Sequence, residues 1–418
     1  MQTSLDYGDQ RVPLEVPDDV QLLEMQDSPP VAEPEAAISQ ALADPIASPP
    51  LSDLARGKKS ACIVISDITR PVPNHLLLPP ILETLERSGL SRQDITLLIA
   101  TGMHRPNEGA ELKALVGPEI MGKYRIQNHF CQDSEQMQCI DHIQGAPIEI
   151  NKRYLNADLK ILTGLIEPHF YAGYSGGRKS ILPGISSFET MKFMHSYKVI
   201  DHPRVTNCVL QDNIFHQYGL QVADKAGVDF IVNVCINRNR ELSAVFAGDH
   251  DQAHMAGCDF IYRHAVLELE QPVDMVITSG GGYPLDATFY QISKALTCAK
   301  DIVKPGGAIV VACECREGLG SDDFCSIMRS CPHPEDFFTR YSDPKNFVID
   351  QWCAQNIFQA LDHAGEVSVY SSGLSDRDVA GFGARKITDL QEEVARLLPH
   401  YRRVAVSPSG PYVVGRLV

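Results

Sequence analysis

The sequence lacks three features that mark other classes of protein. No apolar run reaches the ~18 residues of a membrane-spanning helix. The amino terminus, MQTSLDYGDQ, has neither the basic nor the apolar segment of a secretory signal. The 12 cysteines include no Cys-x-x-Cys pair, which favours reduced, buried thiols over disulfides or zinc ligands. We therefore expect a cytoplasmic protein without a membrane partner, in which even Cys313 and Cys315 pack in the core.

Positive charge is also scarce. Lys and Arg number 37 against 53 Asp and Glu, so the formal net charge is −16. Such a chain is a poor partner for nucleic acid or for an anionic membrane. A small anionic substrate is still compatible with it, because basic residues can be concentrated in one site.

The chain has the length and the pattern of a two-domain α/β protein. At 418 residues it exceeds one ordinary core, and from residue 60 short apolar strands alternate with amphipathic helices. We predict two domains with mostly parallel, Rossmann-like sheets, a first domain at 1–268 that carries the main site and a second at 269–418 that closes over it. The active site is expected in the cleft between them, and the final segment PYVVGRLV could return to the first domain.

Polar clusters directly follow five of the predicted strands. They lie at 66–73, 101–106, 167–169, 279–284 and 315–318. Because parallel strands place their carboxyl ends along one edge, where open α/β sheets bind ligands, a shared active-site rim explains all five.

The stretch at 164–195 contains the largest number of reactive side chains. Its run Tyr174-Ser175-Gly176-Gly177-Arg178-Lys179-Ser180 resembles a phosphate cradle with free backbone N–H groups. It is not a Walker A loop, because Arg178 stands where that motif has glycine. Ser186 and Glu189 have the spacing of a capping box for a helix that carries His195.

Several rim residues suit acid–base or anion-binding chemistry. His104 and His169, at neighbouring strand ends, can exchange protons near neutral pH. Arg70 can grip a carboxylate or phosphate, or it can simply pair with Asp67. Lys179 is an amine nucleophile or a phosphate partner. His195 has no second metal ligand three or four residues away, so a metal there would need a cofactor to supply the other ligands.

A further set of candidates lies on the helix predicted to begin at Asp286. Tyr290 and Lys294 are four residues apart and share a face, with Gln291 beside them. The alternative is an ordinary solvated helix surface. Because the helix follows the SGGGYP loop, we expect this face to point toward the site.

These motifs together resemble the nickel-pincer nucleotide-dependent lactate racemase family. The resemblance extends from about residue 55 to the end of the chain. The motifs are DxTRPxP at 67–73, TGxHRP at 101–106, EPHFYAGYSGGRKSILPG at 167–184 with His195 after it, GGYPLDxxxYQxxK at 281–294 and DQWxxQ at 350–355.

The resemblance implies a cofactor and a reaction. The cofactor is a pyridinium-3,5-bisthiocarboxylate mononucleotide that holds nickel through sulfur, carbon and sulfur, and it is made by accessory enzymes. By motif position, Lys179 would attach it covalently and His195 would be the fourth nickel ligand. Further residues expected to contact the cofactor are Asp67, Ile68, Thr69, Arg70, Ser175, Gly176 and Gly177. The implied reaction is racemisation of a small 2-hydroxycarboxylate, most simply lactate.

The expected chemistry is hydride transfer rather than proton abstraction at C2, because that C–H bond is only weakly acidic beside a carboxylate. His104 and His169 would handle the hydroxyl proton, Arg70 and Lys294 would grip the carboxylate, and Tyr290 and Gln291 would hold the other polar groups. Malate, longer-chain or aromatic 2-hydroxy acids and sugar acids remain alternative substrates. A P-loop-like phosphotransferase and a non-catalytic nucleotide-binding protein are the alternatives of a different class, and the oligomeric state is open.

Overall fold

The structure is a computed structural model that describes residues 1–418. It contains 20 strands. They are β1 Gln2–Tyr7, β2 Gln10–Glu15, β3 Gln21–Leu22, β4 Ala61–Ser66, β5 Ile95–Ala100, β6 Arg125–Asn128, β7 Met137–Ile143, β8 Ala146–Asn151, β9 Leu159–Leu165, β10 Pro168–His169, β11 Gly173–Tyr174, β12 Phe230–Ile236, β13 Leu242–Gly248, β14 Val266–Leu269, β15 Val273–Ser279, β16 Val303–Ala312, β17 Glu366–Tyr370, β18 Arg385–Ile387, β19 Val404–Ser407 and β20 Val414–Leu417.

The α-helices number 15, and none has the length and apolar character that a bilayer crossing requires. They are α1 Pro34–Ala43, α2 Leu51–Ala55, α3 Asn74–Arg87, α4 Gly109–Val116, α5 Lys152–Leu155, α6 Phe188–Met194, α7 Tyr197–Ile200, α8 Ile214–Ala226, α9 Gln252–Ala265, α10 Phe289–Lys300, α11 Asp322–Ser330, α12 Pro334–Tyr341, α13 Gln351–His363, α14 Asp376–Ala380 and α15 Leu390–Leu397.

The chain forms two compact units. One, here the central unit, contains Asp27–His195 and Val209–His264. The other, here the terminal unit, contains Met1–Gln26, Ser196–Cys208 and Ala265–Val418. Both units are α/β, and the predicted fold class of two α/β domains with mostly parallel sheets is confirmed.

The central unit is built on a six-stranded sheet in the order β13-β12-β9-β4-β5-β6. All neighbours are parallel except β12 and β13. Strands β4, β5 and β9 are almost wholly buried, as strands covered by helices on both faces must be. The chain runs from β4 toward one edge and from β9 toward the other. The boundary between β4 and β9 is therefore the topological switch point, where such sheets bind ligands.

The terminal unit has its own six-stranded sheet, in the order β18-β17-β16-β15-β19-β3, with every pair parallel. Its core includes Leu5 and Leu14 of the β1–β2 hairpin together with Ile277 and Val310 of the sheet. The first 26 residues therefore contribute both an edge strand and core side chains to this unit.

Three sequence predictions are wrong in detail. Contiguous domains at 1–268 and 269–418 do not describe the units, because 1–26 and 196–208 belong to the terminal unit. The last residues do not return to the first domain, since β20 pairs in parallel with β14 inside the terminal unit. The cap of α6 is Ser187, whose hydroxyl accepts from the N–H of Thr190, whereas Ser186 forms a bridge with Ile150.

Candidate active site

Three polar loops of the central unit follow β4, β5 and β9, which are adjacent in the sheet. The loop after β4 holds Asp67 to Arg70, the loop after β5 holds His104, and β9 leads through Glu167 into the short β10–β11 hairpin that begins at Pro168. The predicted convergence of these clusters at one sheet edge is therefore present within this unit.

Asp67 links the first two loops and sets the proton position on His104. Its side chain is buried, and its Oδ1 accepts from the hydroxyl of Thr69 at 2.6 Å while its Oδ2 lies 2.7 Å from His104 Nδ1. Because a carboxylate only accepts, Nδ1 carries the hydrogen and Nε2 of the neutral ring keeps its lone pair. Burial acts to raise the pKa of Asp67, but the hydrogen bonds from His104 and Thr69 outweigh it and hold that pKa below its usual range.

The side chain of Arg70 connects the loops that follow β4 and β9, the two strands on either side of the switch point. Its Nη1 lies 2.5 Å from Glu167 Oε1, and the two side chains are 31% and 24% exposed. The alternative that Arg70 pairs directly with Asp67 is not what the structure shows, since the two oxygens of Asp67 are hydrogen-bonded to Thr69 and His104. The ion pair instead ties the β4 loop to the β9 loop and leaves the guanidinium partly open to solvent.

The second histidine, His169, contacts Lys179. His169 is 7% exposed, and its Nε2 lies 2.6 Å from Lys179 Nζ. Its Nδ1 accepts from the backbone N–H groups of Tyr171 and Ala172, at 3.1 and 3.3 Å. His169 therefore carries its hydrogen on Nε2, which is the opposite tautomer to that of His104.

His195, at the carboxyl end of α6, has the properties of a metal ligand. Its Nδ1 donates to the carbonyl of Met191 at 3.0 Å, so the lone pair of the neutral ring is on Nε2. Burial lowers its pKa to about 4, and a neutral imidazole is the form that binds metals. No group of three or more His, Cys, Asp or Glu side chains in the chain is arranged to hold a metal, so a metal at His195 needs ligands from elsewhere. Lys179 and His195 thus suit a cofactor that brings the remaining ligands.

The glycine-rich run is not the open phosphate cradle that the sequence suggested. The N–H of Ser175 donates to the Glu167 carbonyl at 3.0 Å, and that of Gly177 donates to Asn233 Oδ1 at 2.8 Å. A Cβ on Gly176 would lie 2.7 Å from the same Asn233 oxygen, so this glycine allows close packing inside the protein. Contact of these three residues with a cofactor stays a prediction.

The buried side chain of Arg178 stabilises the backbone of this run through hydrogen bonds. Its side chain is 1% exposed and donates to the carbonyls of Ala172 and Tyr174 at 2.6 and 3.1 Å, and it contacts His254 Nε2 at 2.7 Å. Burial lowers its pKa to about 10. Sequence reasoning identified Arg178 only as the residue that breaks the Walker pattern, because a buried structural arginine carries no local signal. Its burial removes it from any role as a phosphate ligand.

The terminal unit carries the other predicted site residues on the first turns of α10. The hydroxyl of Tyr290 accepts from Trp352 Nε1 at 3.0 Å, and burial raises its pKa well above the usual range. Gln291 and Lys294 are half-buried. Trp352 belongs to the DQWxxQ run, which could have identified it as the partner of Tyr290. An active site in a cleft between the two units stays a prediction.

Sequence reasoning missed two further site residues of the central unit. Glu167 pairs with Arg70, and Asn107 accepts from the N–H of Ile68 at 3.1 Å. Both residues stand within or directly after the quoted motifs, which was the available signal. A cavity of about 610 Å³ also exists in this unit, but it adjoins Ala61, Thr96 and Arg125 near the amino ends of β4, β5 and β6, away from these residues.

Comparisons with known proteins cover most of the chain. Family models described as the lactate racemase N-terminal and C-terminal domains match residues 7–207 and 269–410. The lactate racemase of Thermoanaerobacterium thermosaccharolyticum is 35% identical over 91% of this chain and 90% of its own length. The lactate racemase of Lactiplantibacillus plantarum is 36% identical over 89% of this chain and 86% of its own length.

Solved structures show the same relation. The lactate racemase apoprotein of T. thermosaccharolyticum superposes with a TM-score of 0.93 at 33% identity, covering 100% of both chains. A Thermotoga maritima protein, 17% identical with a TM-score of 0.67 over 94% of this chain and 100% of its own, shares the fold alone. The matches to both domains and to nearly full-length relatives establish that this chain belongs to the lactate racemase family of isomerases.

Proposed function

We propose that this protein racemises lactate through a nickel-pincer nucleotide attached at Lys179. The observation that supports it best is the opposite tautomers of the two rim histidines. His104 presents an Nε2 lone pair, set by Asp67, and His169 presents an Nε2–H, set by the N–H groups of Tyr171 and Ala172. Interconversion of two enantiomeric alcohols by hydride transfer needs one base and one acid for the hydroxyl proton.

Each histidine has a defined part in the reaction. For one enantiomer, His104 takes the hydroxyl proton as C2 is oxidised and later returns it to water, and His169 gives its Nε2 proton to the oxygen as C2 is reduced on its other face and regains a proton from water. For the opposite enantiomer the roles reverse. His104 must then exchange its proton with water, and its 61% exposed side chain allows this. Asp67 stabilises the positive charge that His104 acquires.

The cofactor, when bound, supplies the hydride acceptor and three of the four nickel ligands. Lys179 would hold it by condensation of the amine with a thiocarboxyl group, releasing water, and His195 would supply the fourth ligand from Nε2. Cofactor-building accessory enzymes are therefore expected partners. The cytoplasm is the expected location, in keeping with 12 free cysteines.

Arg70 and Lys294 are proposed to bind the substrate carboxylate, with Tyr290 and Gln291 holding the remaining polar groups. Glu167 neutralises part of the Arg70 charge and keeps the guanidinium oriented. A planar guanidinium can still form two parallel hydrogen bonds to a carboxylate. Replacement of Arg70 by Lys keeps the charge and removes this fork, so we expect a loss of about 1–3 kcal/mol in kcat/KM for every 2-hydroxy acid.

The deciding experiment uses protein co-expressed with the accessory enzymes and L-lactate in D₂O. Hydride transfer predicts D-lactate that retains its original hydrogen at C2. Deuterium at C2 would instead indicate proton abstraction and would overturn the mechanism. Failure to invert lactate, alongside inversion of malate or a longer 2-hydroxy acid in the same assay, would reassign the substrate. Failure with all of them would overturn the racemase proposal.

A further inference from the structure

The contact between Lys179 and His169 defines the protonation state of the lysine. Two backbone N–H groups, those of Tyr171 and Ala172, point at His169 Nδ1 at 3.1 and 3.3 Å. Backbone amides can only donate, so Nδ1 must accept and the ring hydrogen is on Nε2. That Nε2–H faces Lys179 Nζ at 2.6 Å.

A hydrogen bond of this kind requires an uncharged amine. An ammonium group has three donors and no lone pair, so with charged Lys179 two donors would face each other at 2.6 Å. A protonated imidazole would change nothing, because its Nε2 would still be a donor. Only the neutral amine of Lys179 can accept from His169.

The neighbouring residue also opposes a charge on the lysine. Arg178 is a fully buried guanidinium whose hydrogen bonds go to carbonyl groups and to His254, all of them neutral. A second cation beside such a group is disfavoured, because like charges raise the free energy of the protonated form. The 172–179 segment therefore combines one buried permanent cation with one amine held uncharged.

We infer that His169 acts before catalysis, by holding Lys179 as a neutral, nucleophilic amine in the protein that has not yet received its cofactor. Lys179 is thus a modification site for electrophilic carbonyl groups at neutral pH. The inference rests on the proposed function for its biological purpose, since it explains how this lysine is prepared for attachment. Attachment converts the amine into an amide-type nitrogen, which no longer accepts a hydrogen bond, and so releases the Nε2–H of His169 for substrate.

The test is competitive acetylation of unloaded protein, expressed without the accessory enzymes, with trace acetic anhydride at pH 7 and pH 9. The amine nitrogen attacks a carbonyl carbon, the N–C bond forms, the anhydride C–O bond breaks, acetate leaves and the amine proton goes to water. Peptide mass spectrometry gives the rate at Lys179 and at the exposed reference Lys113. The ratio of rates at the two pH values is insensitive to access, because access scales both rates equally.

An ordinary lysine amine, with a pKa near 10.4, should react about 100-fold faster at pH 9 than at pH 7. We expect that behaviour for Lys113 and a rise of less than about fivefold for Lys179. In His169→Asn the side-chain oxygen can still accept from the two backbone N–H groups, but the donor to the amine is gone. In this variant the acetylation rate at Lys179 should then rise more than about 50-fold between pH 7 and pH 9.

Two results would overturn the inference. One is a wild-type Lys179 whose pH ratio equals that of Lys113, and this measurement needs no variant to fold. The other is a His169→Asn protein that keeps the wild-type ratio. Racemase activity is decided separately, by inversion of lactate with C2 hydrogen retained, so either proposal can fail alone.

Discussion

At the scale of single residues, the proton positions on the two histidines carry most of the functional argument. A histidine pair alone does not distinguish a base from an acid. The hydrogen-bond partner of Nδ1 makes this distinction in each ring. Asp67 accepts a hydrogen bond from Nδ1 of His104, whereas two backbone N–H groups donate to Nδ1 of His169. Substitutions that change these partners should therefore change rate without removing either imidazole.

The first prediction concerns Asp67→Asn. An asparagine amide can donate to His104 Nδ1, which would move the ring hydrogen to Nε2 and remove the base. We expect kcat/KM to fall on the order of 10²–10³-fold, equally in both directions, because the equilibrium constant of racemisation is one. Initial rates from each enantiomer measure this.

Thr69→Val is the matched control for that variant. It removes only the hydrogen bond to the other carboxylate oxygen and leaves His104 with its tautomer. Its effect should stay below about tenfold. Equal losses in the two variants would show that Asp67 acts through local structure rather than through the proton on His104.

The second prediction separates attachment from metal binding. Intact-mass spectra of Lys179→Ala, co-expressed with the accessory enzymes, should show no covalent adduct. His195→Ala should lose nickel by elemental analysis and keep the adduct, because His195 contributes a metal ligand and not the covalent bond. Lys113→Ala should retain both. Full activity in metal-free buffer of protein made without the accessory enzymes would contradict the cofactor proposal.

At the scale of elements, the 172–180 segment is stabilised by a side chain that the sequence marked only as a departure from a motif. Its position depends on Arg178 below it, on Asn233 of β12 and on the absence of a side chain at Gly176. The position of Lys179 therefore depends on contacts made within this segment and on one distant residue, Asn233.

The third prediction tests whether Arg178 stabilises this segment. Arg178→Met removes the hydrogen bonds that the guanidinium donates to the buried carbonyls of Ala172 and Tyr174, and the loss of a buried hydrogen bond costs about 1–3 kcal/mol. Thermal unfolding should show destabilisation on the order of 3–5 kcal/mol. The control is Arg87→Met, which removes an exposed ion pair with Glu83 and should change stability by less than about 0.5 kcal/mol. Equal effects would argue against a structural role for Arg178.

At the scale of the whole molecule, buried neutral histidines should make folding sensitive to acid. His129 donates from Nε2 to the Ser186 carbonyl and accepts at Nδ1 from Asn151, and burial lowers its pKa to about 4. Burial also lowers the pKa of His254 well below its usual value. Such groups take up protons more readily in the unfolded chain than in the folded one.

The fourth prediction follows from the sign of these shifts. Stability should be complete above pH ~6.5, the pKa of an unfolded histidine, and should decrease as the pH falls from there toward 4. The loss should be on the order of a few kcal/mol for His129. The His129→Gln variant should have a lower free energy of unfolding than the wild type at pH 7. Its free energy of unfolding should decrease less than that of the wild type between pH 7 and pH 5, and thermal unfolding measures both. An unchanged pH dependence in this variant would exclude His129 as a contributor.

The fifth prediction concerns chain organisation. Removal of residues 1–26 deletes β3 from the edge of the terminal sheet and removes Leu5 and Leu14 from its core. Proteolysis should then degrade the 265–418 region faster than in the full chain, whereas removal of the last residue, Val418, should have little effect. Equal resistance in both truncations would mean that the amino-terminal segment is dispensable.

The sequence by itself determined the alternation of strands and helices and the choice of candidate site residues. Strands such as β5, Ile95–Ala100, and helices such as α8, Ile214–Ala226, follow the predicted alternation of strands and helices because local apolar periodicity specifies them. His104, His169, Lys179 and His195 became candidates because they stand in, or shortly after, long motifs.

The tertiary structure alone decided partners and proton positions. The pairing of Arg70 with Glu167, the contact of Arg178 with His254 and the transfer of residues 1–26 to the terminal unit all join segments far apart in the chain. Local sequence cannot encode which distant carboxylate, carbonyl or strand edge will be nearest. The tautomer of the proposed base, His104, likewise depends on Asp67 of another loop, whereas that of the proposed acid, His169, depends on the fold of its own turn.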